Sequence, residues 1–246
     1  MYLIGDIGNT EIKICLVNNR FNILKRYHFG TDEIKSKNLN KLFNRNLNVD
    51  YALFSSVVPK VYSKFIKFFR KKGVSCNEIK KIDLKKMIKL KVDKNQVGSD
   101  RVANAISAID NKNNFIIIDF GTATTFDVIT KNIYHGGIIA PGVNLSLNTL
   151  ISKASLIPKI NLKKVKKVIG KNTKSAVRSG FFWGYNGLIE NIIKLISKET
   201  KKNFKIIFTG GLSHLFKNLK SVKDCTIDKD LTINGLIRVI KKKDEK

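Results

Sequence analysis

Two stretches, YLIGDIGNTEIKICLV at residues 2–17 and IIIDFGTATTFDVI at residues 116–129, repeat one pattern. Each has a short apolar run, then Asp-x-Gly, then a polar turn that includes Thr, and then an alternating apolar run. This pattern predicts a strand, a tight turn and a second strand that returns antiparallel to the first. Because the same hairpin occurs in both halves of the chain, the sequence predicts two α/β lobes of duplicated topology.

Apolar strands and amphipathic helices are predicted around the two hairpins. YALFSSVVP at 51–59 and KIIFTGGLS at 205–213 are apolar runs that end in small residues, which is typical of strands that lead into tight turns. Helical periodicity is present in four segments, 60–72, 101–109, 180–198 and 234–240. The polar segment 110–114 is the best boundary on composition. It predicts an N-terminal lobe at 1–113 and a C-terminal lobe at 114–246, with the last helix a candidate for packing back on the first lobe.

The chain is strongly basic. It has 47 Lys and Arg residues against 19 Asp and Glu, a formal net charge of +28. Clustered cations with interleaved aromatic side chains are typical of nucleic-acid binding, but here the lysines are spread along nearly every predicted helix and loop. We therefore expect no nucleic-acid partner, and a nucleic-acid-binding protein is kept as the weaker alternative.

Composition and cysteine usage indicate the compartment. The chain is 43% hydrophobic and 27% charged, as folded chains commonly are. The cysteines Cys15, Cys76 and Cys225 are far apart, which predicts neither a disulfide framework nor a zinc site. No signal-peptide pattern is present, and no run approaches the roughly 18 apolar residues of a membrane span. We expect a cytoplasmic protein without a membrane partner.

The two Asp-x-Gly turns have a structural and a functional interpretation. In a single turn, Asp bonds nearby backbone N–H groups and Gly takes the positive φ angles that the turn requires. Because the turn occurs twice in matching positions, we expect the two bends to face each other across a cleft. Backbone amides at 8–10 and 121–122, with the nearby Thr hydroxyls, can then bind phosphates. Asp6 and Asp119 would lie beside those phosphates and need a cation between, which predicts a metal-dependent nucleotide site.

A second site is predicted in VGSDRVANAISA at 97–108. A turn of small residues leads Asp100 and Arg101 into a helix N-terminus, where backbone amides favour an anion. In the functional interpretation Asp100 is a general base for a hydroxyl group and Arg101 binds an anionic group. In the structural one Asp100 caps the helix and Arg101 pairs with a neighbour. The chain has neither a P-loop pattern nor a dinucleotide-binding glycine fingerprint, so those two classes of nucleotide site lose support.

Seven segments, in this order, resemble the type III pantothenate kinases, a branch of the superfamily that also holds actin, hexokinase and the Hsp70-like ATPases. They run nearly the whole length of the chain: DIGNT at 6–10, SSVVP at 55–59, GSDR at 98–101, DFGTATT at 119–125, GGIIAPG at 136–142, NTKSAVRSG at 172–180 and FTGG at 208–211. The resemblance implies an α/β fold of two ribonuclease H-like lobes, the actin-like ATPase fold, with the active site in the cleft between the lobes.

The resemblance also implies a role for the residues that match the motifs. Those expected to contact ATP are Asp6, Ile7, Gly8, Asn9, Thr10, Glu11, Ile12, Lys13 and Thr122. Those expected to bind pantothenate are Gly98, Ser99, Asp100, Arg101 and Thr173, with Asp100 as the catalytic proton acceptor. Asp119 matches the ligand of a monovalent cation, potassium or ammonium, which such kinases need besides Mg²⁺.

The activity that the resemblance implies is ATP-dependent phosphorylation of pantothenate to 4′-phosphopantothenate, the first step of coenzyme A biosynthesis. The enzyme is expected to be a homodimer with the substrate pocket near the subunit interface. A non-kinase ATPase of the same superfamily is the alternative from another class. It would share the Asp-x-Gly turns but would not need the GSDR segment.

One loop departs from the family pattern. The chain reads KVDKNQV at 91–97, where the family usually has an aromatic residue followed by Asn-Pro. Lys91 and Lys94 stand in place of the expected Tyr and Pro, so Lys91 is not counted as a substrate contact. Two explanations stay open: a looser loop, or a lysine that takes over part of the pantothenate contact.

Overall fold

The computed structural model describes residues 1–36, 39–43, 48–217, 219 and 225–245. The chain divides into two compact units: unit 1 is Met1–Ile109, Asn132–Tyr134 and Asp230–Lys246, and unit 2 is Asp110–Lys131 and His135–Lys229. The first change of unit falls at the polar segment 110–114. The C-terminal helix and three residues near 133 belong to unit 1, so the arrangement is less simple than a single division after residue 113.

The elements follow one another in a mixed α/β order. In the first part of the chain they are β1 Tyr2–Ile7, β2 Glu11–Val17, β3 Ile23–Gly30, α1 Thr31–Ser36, α2 Leu39–Leu42, β4 Tyr51–Ser56, α3 Pro59–Arg70, β5 Ser75–Glu78, a 3₁₀ turn Ile79–Lys81, β6 Lys89–Leu90 and α4 Ser99–Ala108. In the second part they are β7 Asn114–Phe120, β8 Ala123–Thr130, β9 Ile133–Pro141, α5 Val143–Lys153, α6 Thr173–Thr200, β10 Lys205–Gly210, a 3₁₀ turn Ser213–Leu215, β11 Cys225–Ile227 and α7 Leu231–Asp244.

The two sheets share one topology. The first has the strand order β3-β2-β1-β4-β5, and the second has β9-β8-β7-β10-β11 with the short β6 added beside the start of β9. In each, an antiparallel hairpin carries the Asp-x-Gly turn, and its first strand pairs in parallel with a later strand, β4 or β10. The predicted duplication is therefore confirmed.

Each unit has its own apolar core. In unit 1, the predicted apolar stripe of α3 packs against the sheet. Val61, Phe65 and Phe69 are buried there, and Phe68 packs against the same cluster. In unit 2, the core faces of β7, β8 and β10 pack against α6 through residues such as Phe126 and Phe208. Apolar alternation along the strands thus fixes which side chains face the core and which face away from it.

The four predicted helices are present; α3 and α4 lie within two residues of their predicted bounds, whereas α6 and α7 are longer than predicted. α6 begins at Thr173, seven residues before the predicted start, because Asn172 and Ser175 form a capping box: the Asn172 side chain accepts from the Ser175 N–H at 2.9 Å, and the Ser175 hydroxyl accepts from the Asn172 N–H at 3.1 Å. α7 is longer than predicted at both ends. Within the described residues, no helix combines the length and the apolar character needed to span a membrane.

Helix α7 holds α4 in unit 1. Gly235 of α7 lies so close to α4 that a Cβ there would overlap the carbonyl group of Ala103, with the carbonyl carbon only 2.6 Å away. The Thr232 hydroxyl donates to the buried Asn104 side chain at 2.8 Å. Arg238 donates to carbonyl oxygens at the C-terminal end of α4, including that of Ile106 at 2.9 Å, and so satisfies groups that a helix end leaves without partners.

Gly235→Ala is expected to destabilise unit 1. Alanine favours a helix over glycine by roughly 1 kcal/mol, but the new methyl group collides with backbone that cannot move without separating α7 from α4. We expect a net loss of about 1–3 kcal/mol in the free energy of unfolding, measured by urea denaturation. The exposed neighbour Asn234→Ala is the control and should change it by less than about 1 kcal/mol. Equal stability of Gly235→Ala and the wild type would contradict this packing.

Candidate functional site

The first Asp-x-Gly turn joins β1 to β2 in unit 1. The Gly8 N–H donates to the Glu11 carbonyl at 3.0 Å, which closes the turn. Thr31, at the start of α1, fastens the turn from the side: its hydroxyl donates to the Gly8 carbonyl at 2.7 Å and its N–H to the Thr10 carbonyl at 3.0 Å. Asn9 remains exposed at the tip of the turn. The turn is thus a rigid loop whose tip is open to a ligand.

The strand register adds charge next to this turn. Asp6 is the direct cross-strand neighbour of Lys13, and Ile7 that of Ile12. The isoleucines are fully buried, whereas Asp6 and Lys13 are only partly buried. Alternation therefore puts one carboxylate and one ammonium on the accessible side of the hairpin, beside the backbone of the turn.

The SSVVP and GSDR segments lie beside the first turn, in the same unit. β4 runs parallel to β1 with Ser56 opposite Ile7, and the Val57 N–H donates to the Ile7 carbonyl at 3.1 Å. The Ser99 hydroxyl in turn donates to the Ser56 carbonyl at 3.2 Å. One chain of hydrogen bonds thus links the first turn to the start of α4. The structure brings together residues that are more than 90 positions apart in the sequence.

Asp100 is the second residue of α4, and the N-cap position belongs to Gly98. The structural interpretation of Asp100 as the N-cap is therefore wrong. Its Oδ1 accepts from the Arg101 N–H at 2.8 Å and lies against Gly98, where any Cβ would overlap it. Burial raises the pKa of the Asp100 carboxyl above its usual value, although the Arg101 N–H and the positive charges of Arg101 and Lys80 act in the opposite direction.

In unit 2, two other backbone segments pass close to the second Asp-x-Gly turn. Gly142, at the start of α5, lies so near the turn that a Cβ would overlap the Thr122 carbonyl. On the other side, Gly210 has φ +83° and its absent Cβ would lie 2.6 Å from Asp119 Oδ1. Only glycine fits at these two places. The GGIIAPG and FTGG segments, which contain them, therefore shape the surroundings of Asp119.

Two glycines lie close to the Asp119 carboxylate. Asp119 is partly buried, and a Cβ would lie 2.6 Å from its Oδ1 at Gly210 and 3.7 Å from it at Gly121. The carbonyls of Gly121 and Thr122, in the same turn, lie close to Gly142. Among the residues that the structure describes, no three His, Cys, Asp or Glu side chains gather as a metal cluster. A cation here would be held by one carboxylate and backbone oxygens, a donor set that suits a hard cation.

The predicted site residues thus fall into two groups. Unit 1 contains the first turn, residues 6–13, and the GSDR segment, residues 98–101, joined as described above. Unit 2 contains Asp119 and the exposed Thr122 at the second turn. Thr173 is also in unit 2 and is exposed as the first residue of α6.

Two residues at these sites were not predicted from the sequence. Thr31 anchors the first turn, and its only sequence signal is its position before a short helix. Lys80, whose Nζ donates to the Val97 carbonyl at 3.1 Å, is one lysine among many in a Lys-rich segment. Neither residue belongs to a motif, so only the folded contacts identify them.

Comparison with known proteins supports the motif pattern. A family model described as type III pantothenate kinase matches residues 2–195. A type III pantothenate kinase of Pelagibacter ubique (strain HTCC1062) is 60% identical over 243 residues, which cover 97% of this chain and 98% of that protein. Another from Sulfurihydrogenibium sp. (strain YO3AOP1) is 36% identical, with 91% and 97% covered.

Solved structures show the same fold at low sequence identity. A ROK family protein from Streptococcus pneumoniae has a TM-score of 0.56 at 11% identity, with 99% of each chain covered. The activator of 2-hydroxyisocaproyl-CoA dehydratase from Clostridium difficile has a TM-score of 0.50 at 10% identity, with 100% and 97% covered. These likenesses agree with the two-lobe actin-like fold of kinases and ATPases. With the family match over most of its length, the chain belongs to the type III pantothenate kinases.

Proposed function

We propose that Asp100 is the general base of this pantothenate kinase, which uses ATP to phosphorylate pantothenate in the first step of coenzyme A biosynthesis. The observation that carries the proposal is the placement of Asp100: a partly buried carboxylate at the N-terminus of α4, next to Ser99, whose hydroxyl bond to Ser56 links this end of α4 to the first turn. The rival ATPase interpretation gives this carboxylate no role.

The reaction exchanges one P–O bond for another. The oxygen of the primary hydroxyl of pantothenate bonds to the γ-phosphorus of ATP, the bond from that phosphorus to the β–γ bridging oxygen breaks, and ADP leaves. The hydroxyl proton passes to Asp100. Because such transition states are loose, the protein contributes mainly positioning and charge stabilisation. Burial suits Asp100 to this task, since a raised pKa makes its carboxylate a better proton acceptor.

The remaining binding roles follow from the two groups of residues. We assign the ATP phosphates to the first turn, Asp6 to Lys13, and to Thr122, because both turns expose backbone and hydroxyl donors. Pantothenate is assigned to the GSDR segment, Gly98 to Arg101, where the helix N-terminus and Arg101 favour its carboxylate, and to Thr173.

Two cations belong to the proposal. Mg²⁺ would accompany ATP and offset charge on the transferring group, with Asp6 the nearest carboxylate of the first turn. A monovalent cation, potassium or ammonium, would be held by Asp119 and by backbone oxygens of the second turn, a donor set that suits a hard cation. Such an ion would neutralise Asp119 next to the phosphates.

We also propose a homodimer formed through unit 2. Eight of the nine large hydrophobic side chains that are exposed in the described residues lie in this unit: Ile139, Leu145, Leu150, Leu156, Val168, Ile169, Trp183 and Leu195. An apolar surface of this extent is typical of a protein–protein interface. Sedimentation velocity tests the dimer, and a mass near the 27.8 kDa of one chain would contradict it.

The expected location is the cytoplasm, where ATP is available and thiols stay reduced. Cys15, Cys76 and Cys225 are free thiols, which fits such a compartment. Cell fractionation with antibodies against the chain checks the location, and recovery in the membrane or secreted fraction would count against it.

Asp100→Asn is expected to lower kcat for pantothenate phosphorylation by about 10²- to 10⁴-fold, because the amide cannot accept the proton. A coupled assay of ADP release, corrected for release without pantothenate, measures the effect. Asp93→Asn is the matched control: this exposed carboxylate lies in the preceding loop, and the amide oxygen can still accept the Asn95 N–H bond. Turnover of Asp100→Asn at the wild-type rate would remove Asp100 from the mechanism.

Asp119→Ala is expected to abolish the rate response to potassium. In the wild type, replacing sodium by potassium at constant ionic strength should raise the rate, since the ion would bind Asp119 and neutralise its charge beside the second turn. Glu199→Ala, which removes an exposed carboxylate at the end of α6, should keep the full response. An undiminished response in Asp119→Ala would show that the cation binds elsewhere.

A further inference from the structure

Two lysine side chains fasten the loop that precedes the GSDR segment. Lys80 Nζ donates to the Val97 carbonyl at 3.1 Å and approaches the Asn95 carbonyl at 3.5 Å. In the opposite direction, Lys94 Nζ donates to the Ile82 carbonyl at 3.2 Å. The loop is therefore tied, at its middle and at its C-terminal end, to the 3₁₀ turn Ile79–Lys81 and the residue that follows it.

The position of Lys80 is itself fixed. Its backbone N–H donates to the carboxylate of the buried Glu78 at 2.8 Å, and this bond caps the 3₁₀ turn. The Lys80 side chain is half-buried and so extends along protein rather than into water. Val97, whose carbonyl it contacts, is buried and directly precedes Gly98. Movement of this ammonium group would therefore move the start of α4.

The charge of Lys80 also reaches Asp100. Arg101, next to Asp100 on α4, lowers the pKa of the Asp100 carboxyl, and Lys80 does so to a smaller extent. The bond from Lys80 Nζ to the Val97 carbonyl at 3.1 Å brings its charge to the segment three residues before Asp100. Among the elements that make the most contact with α4, β4 (YALFSS) has no charged residue, and Arg238 of α7 bonds the opposite end of α4. Lys80 is thus a positive charge that a different element, the 3₁₀ turn, brings near Asp100.

We propose that Lys80 is a positioning residue for Asp100: its ammonium group holds the loop before Gly98 in place and supplies positive charge that keeps the Asp100 carboxylate ionised. The proposal rests on Asp100 being the general base. It also assigns a role to Lys94, which stands where the family usually has Pro. The Lys94 ammonium group donates to the Ile82 carbonyl, so this loop is fastened rather than loose. Lys94 is not among the charged groups that shift the pKa of Asp100.

The test compares three variants in pH profiles of kcat/KM for pantothenate. Lys80→Gln keeps a donor for the Val97 carbonyl but removes the charge. Without that charge the pKa of Asp100 should rise further, so the acid limb of the profile should move to higher pH and activity on that limb should fall. Lys80→Arg should restore the wild-type limb. Lys94→Gln, the matched control, should leave the limb in place even if it raises KM.

The outcomes distinguish the proposed role of Lys80 from the proposed role of Asp100 as general base. If Asp100→Asn is inactive and the acid limb of Lys80→Gln coincides with the wild type, only the role of Lys80 is overturned. The same holds if Lys80→Gln and Lys94→Gln shift the limb equally, because then the effect comes from the loop and not from the charge. If Asp100→Asn is fully active, the general-base proposal fails by itself. Lys80→Met, which keeps the aliphatic stem, provides a second charge-free variant should Lys80→Gln not fold, with thermal unfolding as the check.

Discussion

The close approach of α7 to α4 is the constraint on which the arrangement of unit 1 depends. α4 presents Asp100 at its first turn, and its place is set by the glycine contact at residue 235 and by Arg238 at its far end. A helix can move along its axis unless both its side and its end are held. Here the C-terminal helix does both, although the sequence places it 130 residues from α4.

Backbone geometry, more than side-chain charge, shapes the two Asp-x-Gly turns. Each turn comes at the end of a buried strand that pairs in parallel with a later strand, and that neighbour fixes where the turn lies. Thr31 fastens the first turn, and the close passage of Gly142 shapes the second. Apart from Lys13, Lys80 and Arg101, the residues that build these sites carry no positive charge, and most of them are acidic, small or hydroxyl-bearing. The net charge of +28 is therefore mostly a property of the solvated surface.

The sequence was sufficient for those features that depend on local patterns. Alternating apolar residues around Asp-x-Gly predicted both hairpins, and the amphipathic stripe predicted α3, because burial of one face decides such elements. The sequence was insufficient for those features that long-range packing determines. The start of α6 at Thr173 depends on the Asn172–Ser175 capping box, whereas helical periodicity predicted this helix only from residue 180. The tie from Lys80 to Val97 depends on folding that brings β5 and α4 together, and no periodicity records it.

The central claim is that Asp100 meets the hydroxyl group that is phosphorylated. A crystal structure of the enzyme with pantothenate and a non-hydrolysable ATP analogue tests it most directly, through the distance from the Asp100 carboxylate to the primary hydroxyl oxygen. The account predicts direct hydrogen-bond contact, about 2.6–3.2 Å, with the pantothenate carboxylate at Arg101. A hydroxyl group that instead contacts another side chain, with Asp100 turned away from the substrate, would contradict the account.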